Sequence, residues 1–510
     1  MTDPFRDQLA ARVAGEVRTG IPGEDDHDAS HYRLVPRLVL EAGSVDDLCE
    51  AVRFCRQEGL HITMRGGGSS LAGQSVGDGL LIDTRRLDHV SVDPEDRTAV
   101  VGPGCTLDRL NSAAAEHGLW FGPDVSSSGW ATIGGMIGND SCGSRSSRYG
   151  RTSAHIERLD LVSADGSRSS WNRGTIPESS RRIHQKLHEN AGLIDEVFTP
   201  LPRRVAGYGI DRWLRDPSDP GVLAGSEGTL ALVAEATLRL TPRPRAVSMV
   251  VVSAASVPEA LEQAAGLADQ APDSAELLDA SLLSAALEDP RYADVAESLL
   301  GDAGAVVLVD FLGDDSAGRA MAAASLSARS RLLSGDERAE LVALRRAGLG
   351  LLMSSRPGLH AASIIEDLAV PPERTAEFAA DLVELISGAG WEAAVYGHAD
   401  AGCLHVRPWV DMDRDHQNLW DLQSDAVALA LGYGGTSTGE HGDGRLRSHL
   451  LETVYPKAVI EMFSSIKHAF DPDNVFNPGI IVDPVPPTFG FDHGRAGADR
   501  ARAVAAGPRT

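Results

Sequence analysis

Long apolar runs are missing from this 510-residue chain, and so is any surplus of basic residues: 47 Lys and Arg stand against 73 Asp and Glu, a formal charge of −26. No stretch approaches the roughly 18 to 20 apolar residues that span a bilayer. The start, Met1-Thr2-Asp3-Pro4-Phe5-Arg6-Asp7, has neither the basic nor the apolar region of a signal peptide. A cytoplasmic protein that is not transmembrane is the expectation. Neutralising nucleic-acid phosphates needs a stripe of Lys and Arg, so no nucleic-acid partner is expected. Cysteine is scarce too: Cys49, Cys55, Cys105, Cys142 and Cys403 are scattered, odd in number and contain no C-x-x-C pair. That pattern suggests neither a disulfide framework nor an iron–sulfur cluster.

What is present is core-forming material, 42% hydrophobic, enough for two or three domains. Ser44-Val45-Asp46-Asp47 opens a helix with a capping-box start, Leu48, Val52 and Cys55 share one face, and Gly59 ends it. Strands are expected at 61–64 and 80–83, and from there to about 240 the pattern is short strands, glycine loops and few helices. Thr241-Pro242-Arg243-Pro244 marks a domain boundary, after which 247–252 and 306–311 read as strands and 258–268, 317–333 and 372–387 as helices. Beyond Asn477-Pro478-Gly479 the chain lacks hydrophobic periodicity and reads as a disordered or extended tail.

Glycine is abundant, and clustered. Arg65-Gly66-Gly67-Gly68-Ser69-Ser70-Leu71-Ala72-Gly73 follows a strand directly, and consecutive backbone N–H groups in such a loop can close around a pyrophosphate. Taken alone it is equally a tight turn. Gly122-Pro123-Asp124, Ala131-Thr132-Ile133-Gly134-Gly135-Met136-Ile137-Gly138-Asn139 and Gly225-Ser226-Glu227-Gly228-Thr229-Leu230 repeat the same chemistry, which suits one large extended ligand. Gly135 and Gly138 would let a flat ring approach the main chain, with Asn139 and Ser141 bonding its polar edge. Neither a nicotinamide fingerprint nor a P-loop occurs. The run Arg145 to Arg151 reads as a surface loop after this segment.

A second constellation lies far along the chain: Gly397-His398 with Leu404-His405, then Gly439-Glu440-His441-Gly442-Asp443-Gly444. Imidazoles and a carboxylate set among glycines look like a divalent-metal site with a base beside it, one that leaves a position open for substrate. His398 and His405 would face opposite sides of one continuous strand, but Gly397 and Gly402 suggest strand, turn and strand, aiming both rings at one ion.

These segments, with Asp471-Pro472-Asp473-Asn474-Val475-Phe476-Asn477-Pro478-Gly479, occur in the order found in vanillyl-alcohol-oxidase-type (PCMH) flavoproteins, and the chain from about 30 to 482 resembles their D-lactate, D-2-hydroxyglutarate and glycolate dehydrogenase branch. The resemblance implies an α+β fold: an N-terminal extension (1–34), a two-subdomain PCMH-type FAD-binding domain (35–242), an α+β, ferredoxin-like cap (243–482) and the tail (483–510). It implies that Arg65, Gly66, Gly67, Gly68, Ser69, Ser70 and Gly73 bind the FAD pyrophosphate. Pro123, Asp124, Thr132, Gly134, Gly135, Gly138, Asn139, Ser141, Gly225, Glu227, Gly228, Thr229 and Asn477 complete the cofactor set. No His stands in the first glycine loop, so the FAD is expected to be dissociable.

By the same resemblance His398, His405 and Glu440 are ligands to a divalent metal, zinc first, and His441 is the general base. Arg345 is placed to hold the α-carboxylate of a D-2-hydroxy acid, with Arg407 and Arg356 as weaker candidates. Two departures stand out. Leu349 and Ile365 replace a Thr and a Lys of the hydroxyglutarate branch, which puts recognition of a second carboxylate in doubt, and no Cys-rich region follows, so electrons are expected to leave through a quinone, a cytochrome, a separate iron–sulfur subunit or oxygen. The alternatives are an alcohol oxidase subunit of a larger complex, glycolate being one substrate, and a zinc metallohydrolase, which leaves the glycine loops unexplained.

Overall fold

The computed structural model describes residues 3–492 apart from 302, 334 and 357. Its first sheet comprises β1 (Glu16–Thr19), β2 (Leu38–Glu41), β3 (Ile62–Arg65) and β4 (Leu80–Asp83) in the order β1-β2-β4-β3, with β2 and β3 parallel to β4. Parallel strands need a crossover; α1 (Val45–Glu58) makes it from β2 to β3, and β4 lies between these two strands. Ser44 and Asp47 form the expected reciprocal cap, Gly59 closes the helix at φ 66°, and Leu48, Val52 and Cys55 are buried.

A second, antiparallel sheet follows: β5 (Val90–Asp93), β6 (Thr98–Val101), β7 (Ile156–Val162), β8 (Arg168–Asn172) and β9 (Leu232–Arg239), ordered β5-β6-β9-β7-β8. This region holds more helix than its glycines suggest, at Leu107–Ala115, Ile133–Asn139 (α2), Glu178–His188, Ala191–Val197 and Ile210–Arg215. The sequence reads α2 as a loop. It is a helix because Thr132 Oγ1 accepts the Gly135 N–H at 3.3 Å and buries Ile133, Met136 and Ile137, which outweighs the glycine penalty.

The cap is one antiparallel sheet containing β10 (Val247–Ala254), β11 (Ser274–Asp279), β12 (Ala305–Leu312), β13 (Ser330–Leu332), β14 (His360–Ala361), β15 (Ala393–His398) and β16 (Cys403–Val410), ordered β13-β10-β12-β11-β15-β16-β14. Its first four positions run fourth, first, third, second, as in a ferredoxin-like unit. Alternate residues go to opposite cores, as a period of two requires: Val250, Val252, Val307 and Val309 pack on one side, with α3 (Val257–Ala265) and α4 (Ser316–Ala324), and Met249, Val251, Val306 and Leu308 on the other. The second side also receives α5 (Gly335–Ser355) through Leu341, Leu344 and Leu352.

The helix expected over 317–333 stops at Ala324. Ser330–Leu332 instead pairs with Val250–Val252 as the edge strand β13, since an open sheet edge satisfies backbone groups that a longer helix would leave in water. The helix expected at 372–387 begins with a 3-10 turn at Pro372–Arg374 and continues over Thr375–Gly388. Residues 483–492, expected to belong to an irregular tail, fold back on the body: Tyr32 Oη donates to the Pro487 carbonyl at 2.8 Å, and Phe491 packs edge-on against Tyr32. The rest of that tail, 493–510, lies outside the described residues. Among the described residues no helix is long and apolar enough to cross a membrane.

Candidate active site

Where the glycine-loop domain meets the second side of the cap sheet, a cavity of about 880 Å³ opens. Its domain wall contains Arg65 to Ser70, Asp124, Thr132, Gly134, Gly135, Gly138, Asn139, Ser141, Glu227 and Gly228; its cap wall contains Glu276, Arg345, His398, His405, Glu440 and His441. Gly73, Pro123, Gly225, Thr229 and Asn477 stand behind this lining. Asn477 Nδ2 donates to the Gln74 and Glu227 carbonyls at 2.9 and 2.8 Å, tying two segments of the domain wall together.

Two glycines show why the lining tolerates no side chain in one place and offers room in another. A Cβ at Gly67 would fall 1.9 Å from the Trp130 carbonyl oxygen, so that loop crossing requires glycine, whereas a Cβ at Gly138 would meet nothing within 4 Å. Open space beside a helix of small residues is a cradle that a flat ring can fill. Arg65 turns its Nε to the Ser75 carbonyl at 3.0 Å. Glu227 contributes its backbone to the lining, while its carboxylate accepts the N–H groups of Asp443 and Gly444 at 2.7 and 2.8 Å.

The strand, turn and strand expected around Gly397 and Gly402 are β15, the 3-10 turn Ala399–Ala401 and β16. Gly397 sits at φ 152° with a Cβ position 2.4 Å from the Cys403 carbonyl oxygen, so the hairpin closes only around glycine. It brings His398 Nε2 and His405 Nε2 within 3.4 Å, and Glu440 Oε1 lies 3.1 and 3.3 Å from them. Ligands at about 2.1 Å from a tetrahedral ion stand about 3.4 Å apart, so these three atoms fit a divalent ion. A wider set, Asp367, His405, Glu440 and His441, has ligand atoms within 4.8 Å of one another. Asp367 is the poorer ligand of the two sets because it already receives the backbone N–H groups of Gly439, Glu440 and His441.

Charge is arranged around those atoms. Glu440 Oε2 pairs with the fully buried Arg203 at 2.8 Å and receives the Gly143 N–H, leaving Oε1 to the imidazoles. Despite burial, Arg203 and His398 hold the Glu440 carboxyl well below its usual range. Glu276 Oε1 binds His398 Nδ1 at 2.5 Å, which fixes the tautomer so that Nε2 points at the site. Burial and Arg203 oppose a charge on His398, but Glu276 and Glu440 prevail and raise its pKa. His405 is pushed down to about 4 by burial and keeps a neutral ring. His441 stacks on His405 at 5.0 Å and gives its Nδ1 to Glu366 Oε1 at 3.0 Å. Burial would lower it, yet Asp367 and Glu366 raise it to about 9.

Arg345, expected to hold a substrate carboxylate, has a carboxylate partner within the protein. Its Nε and Nη2 reach Glu276 Oε2 at 2.6 and 2.5 Å, so it is bound to the carboxylate that orients His398 while still lining the cavity. Arg407 is buried against Glu366, and Arg356 stacks over Trp409 at 3.9 Å, outside the cavity lining. Arg145, read as part of a surface loop, is 11% exposed and lines the cavity. Glu276, Glu366, Asp367 and Arg203 escaped the sequence reading. Only Glu366-Asp367 carried a signal, two adjacent acids inside the apolar run 364–370.

Comparison with known proteins fits this geometry. Residues 36–170 match the FAD binding domain family and residues 243–481 the C-terminal domain of FAD linked oxidases. The chain belongs to the FAD-linked oxidases. It is 33% identical to the D-2-hydroxyglutarate dehydrogenase of Pseudomonas putida over 94% of this chain and 51% of that protein. It is also 28% identical to the D-lactate dehydrogenase of Archaeoglobus fulgidus, over 87% and 91% of the two chains. The FAD-linked oxidase chain thus spans about half the length of the hydroxyglutarate dehydrogenases it matches. Its fold is shared with 4-ethylphenol oxidase from Gulosibacter chungangensis, with a TM-score of 0.69 at 15% identity over 94% of this chain and 96% of that one.

Proposed function

We propose that this FAD-linked oxidase dehydrogenates a D-2-hydroxy acid to the 2-oxo acid. The observation that carries the reading is the convergence of His398, His405, Glu440 and His441 on a cavity whose opposite wall is the glycine-loop lining. Arg65 to Ser70, Thr132 to Ser141 and Gly228 would hold FAD, and His398, His405 and Glu440 would hold a divalent ion, zinc in first place. When bound, FAD would supply the hydride acceptor for the α-carbon and the ion a Lewis acid for the α-hydroxyl.

The chain's own residues do the rest. His441, anchored through Nδ1 by Glu366, presents Nε2 to the cavity and takes the hydroxyl proton in its neutral form, the form favoured as pH rises towards about 9. Asp367 fixes the loop that carries it by accepting its backbone N–H at 2.9 Å. Arg345 keeps Nη1 for a substrate carboxylate while Nε and Nη2 stay on Glu276. Electrons leave to a diffusible or protein acceptor, with quinone, cytochrome, a separate iron–sulfur subunit and oxygen as the candidates.

Anaerobic mixing of the FAD-loaded protein with D- and L-2-hydroxy acids tests this. Bleaching of the flavin band by a D-acid and not its L-isomer, abolished by a chelator, is the expected result; a flavin that no hydroxy acid bleaches overturns it.

A further inference from the structure

The catalytic constellation occupies one end of the cavity's cap wall, and a second group of charges occupies the other. Asp310, on β12, receives Arg338 Nε and Nη2 from α5 at 3.2 and 3.1 Å and Arg145 Nη2 from the glycine-loop domain at 3.3 Å. Arg145 also pairs with Asp124, which Arg346 approaches to 3.6 Å. Arg145, Asp310, Arg338 and Arg346 all line the cavity. Three guanidinium groups thus share two carboxylates, which leaves one positive charge over in a chain whose formal charge is −26. Arg145 Nε, moreover, is buried without a hydrogen-bond partner. Such a donor is costly to leave unmet, and an acceptor brought by a ligand would satisfy it.

The sheet sets the distance between the two ends. Glu276 pairs with His398 on one side and Leu308 on the other, and Asp310 lies two residues beyond Leu308 on the same face. With strands about 4.8 Å apart and a rise of about 3.4 Å per residue, the Cα atoms of His398 and Asp310 are about 12 Å apart. Between them β11 contributes Glu276 and Ser274 and β12 contributes Leu308, and the same cavity is lined by Val342 and Leu349 from α5.

We propose that Arg338 and Arg145, bridged by Asp310, form a distal anion subsite that takes a second acid group at the far end of a 2-hydroxy acid substrate. Within the hydroxyglutarate-like pattern, Leu349 and Ile365 removed the polar groups expected for that second acid; these arginines supply it from elsewhere. The assignment rests on the hydroxy-acid reading for the reacting end, but the subsite can be tested without turnover.

Calorimetric titration of the FAD-loaded protein with unreactive α,ω-dicarboxylates of increasing length, against monocarboxylates of equal length, is the experiment. Charge-assisted hydrogen bonds contribute enough for one dicarboxylate to bind at least about tenfold tighter than its monocarboxylate. Arg338→Met should abolish that advantage and leave the monocarboxylate affinity unchanged, with Arg338→Lys restoring part of it. Equal affinity for both series overturns the subsite, as does an Arg338→Met protein that keeps the dicarboxylate preference. If dicarboxylates bind as expected but no D-2-hydroxy acid bleaches the flavin, the subsite stands and the hydroxy-acid reading falls.

Discussion

Glu276 joins His398 to Arg345: one carboxylate oxygen lies 2.5 Å from the imidazole Nδ1, the other 2.6 Å from the guanidinium Nε. The ring of the proposed metal site and the cation proposed to meet substrate are therefore mechanically one unit. Arg345 and His398 together overcome burial and hold the Glu276 carboxyl down at about 2, so it stays ionised across the working range.

Glu276→Gln keeps the size and one acceptor but removes the charge that aligns both neighbours. Losing such an orienting partner typically lowers metal affinity by about 10- to 100-fold. Competition with a chelator should show that loss for His398's site while the flavin remains bound. An unchanged metal affinity would mean that Glu276 serves the fold alone.

His441→Ala should leave FAD content intact and lower turnover by about 10²- to 10⁴-fold, the usual contribution of a positioned acid–base group. Glu366→Gln should fall between this variant and wild type, because Gln can still accept from Nδ1. Single-turnover flavin reduction separates the cases: a slowed reduction with unchanged substrate dissociation places the loss in proton removal.

Much of this geometry was legible as short-range pattern. Gly397 and Gly402 announced a hairpin, and the hairpin is what aligns His398 with His405. Ser44 and Asp47 announced a capped helix, and it is there. Long-range partners were not legible. Glu276 meets His398 only because β11 pairs with β15 across 122 positions of sequence, and Arg145 reaches Asp310 only because the cap closes over the glycine loops. Arg345 shows the same limit from the other direction: its place beside the site was inferred, but not the carboxylate it would find there. The helix read through 317–333 failed because local propensity cannot see a vacant sheet edge.

Asp471, in the Asp-Pro-Asp-Asn-Val-Phe-Asn-Pro-Gly segment, explains what that motif does for the fold. Its carboxylate accepts the Val475 and Phe476 N–H groups at 2.9 and 2.7 Å and pairs with buried Lys467 at 2.5 Å, and Lys467 also donates to the Thr229 and Phe476 carbonyls. Asp471→Ala strands a buried ammonium, which costs about 3–5 kcal/mol. Since Asn477 hangs from the same turn and buckles Gln74 to Glu227, the variant should lose FAD retention along with thermal stability. Lys467→Met with Asp471→Asn together should recover part of both, and failure of the pair to do so would argue against the ion pair as the cause.

Asp279 supplies a pH dependence independent of the catalytic groups. It caps the helix Ala280–Leu287 through the Leu282 N–H at 2.9 Å and holds the Val395 N–H at 2.8 Å. Burial nevertheless lifts its carboxyl from 3.8 to about 6, against the pull of those N–H groups. A carboxyl raised in the folded state binds its proton more tightly there than in the unfolded chain. Its stabilisation is therefore complete below about pH 4 and is lost as pH rises through about 6. At about 1.36 kcal/mol per unit the loss is at most about 3 kcal/mol. Asparagine caps a helix as well as aspartate and carries no charge to bury, so Asp279→Asn should gain on wild type by up to that amount between pH 4 and pH 7. Chemical denaturation of both proteins at the two pH values measures the difference; a gap that stays constant with pH would place the folded pKa of Asp279 at its ordinary value.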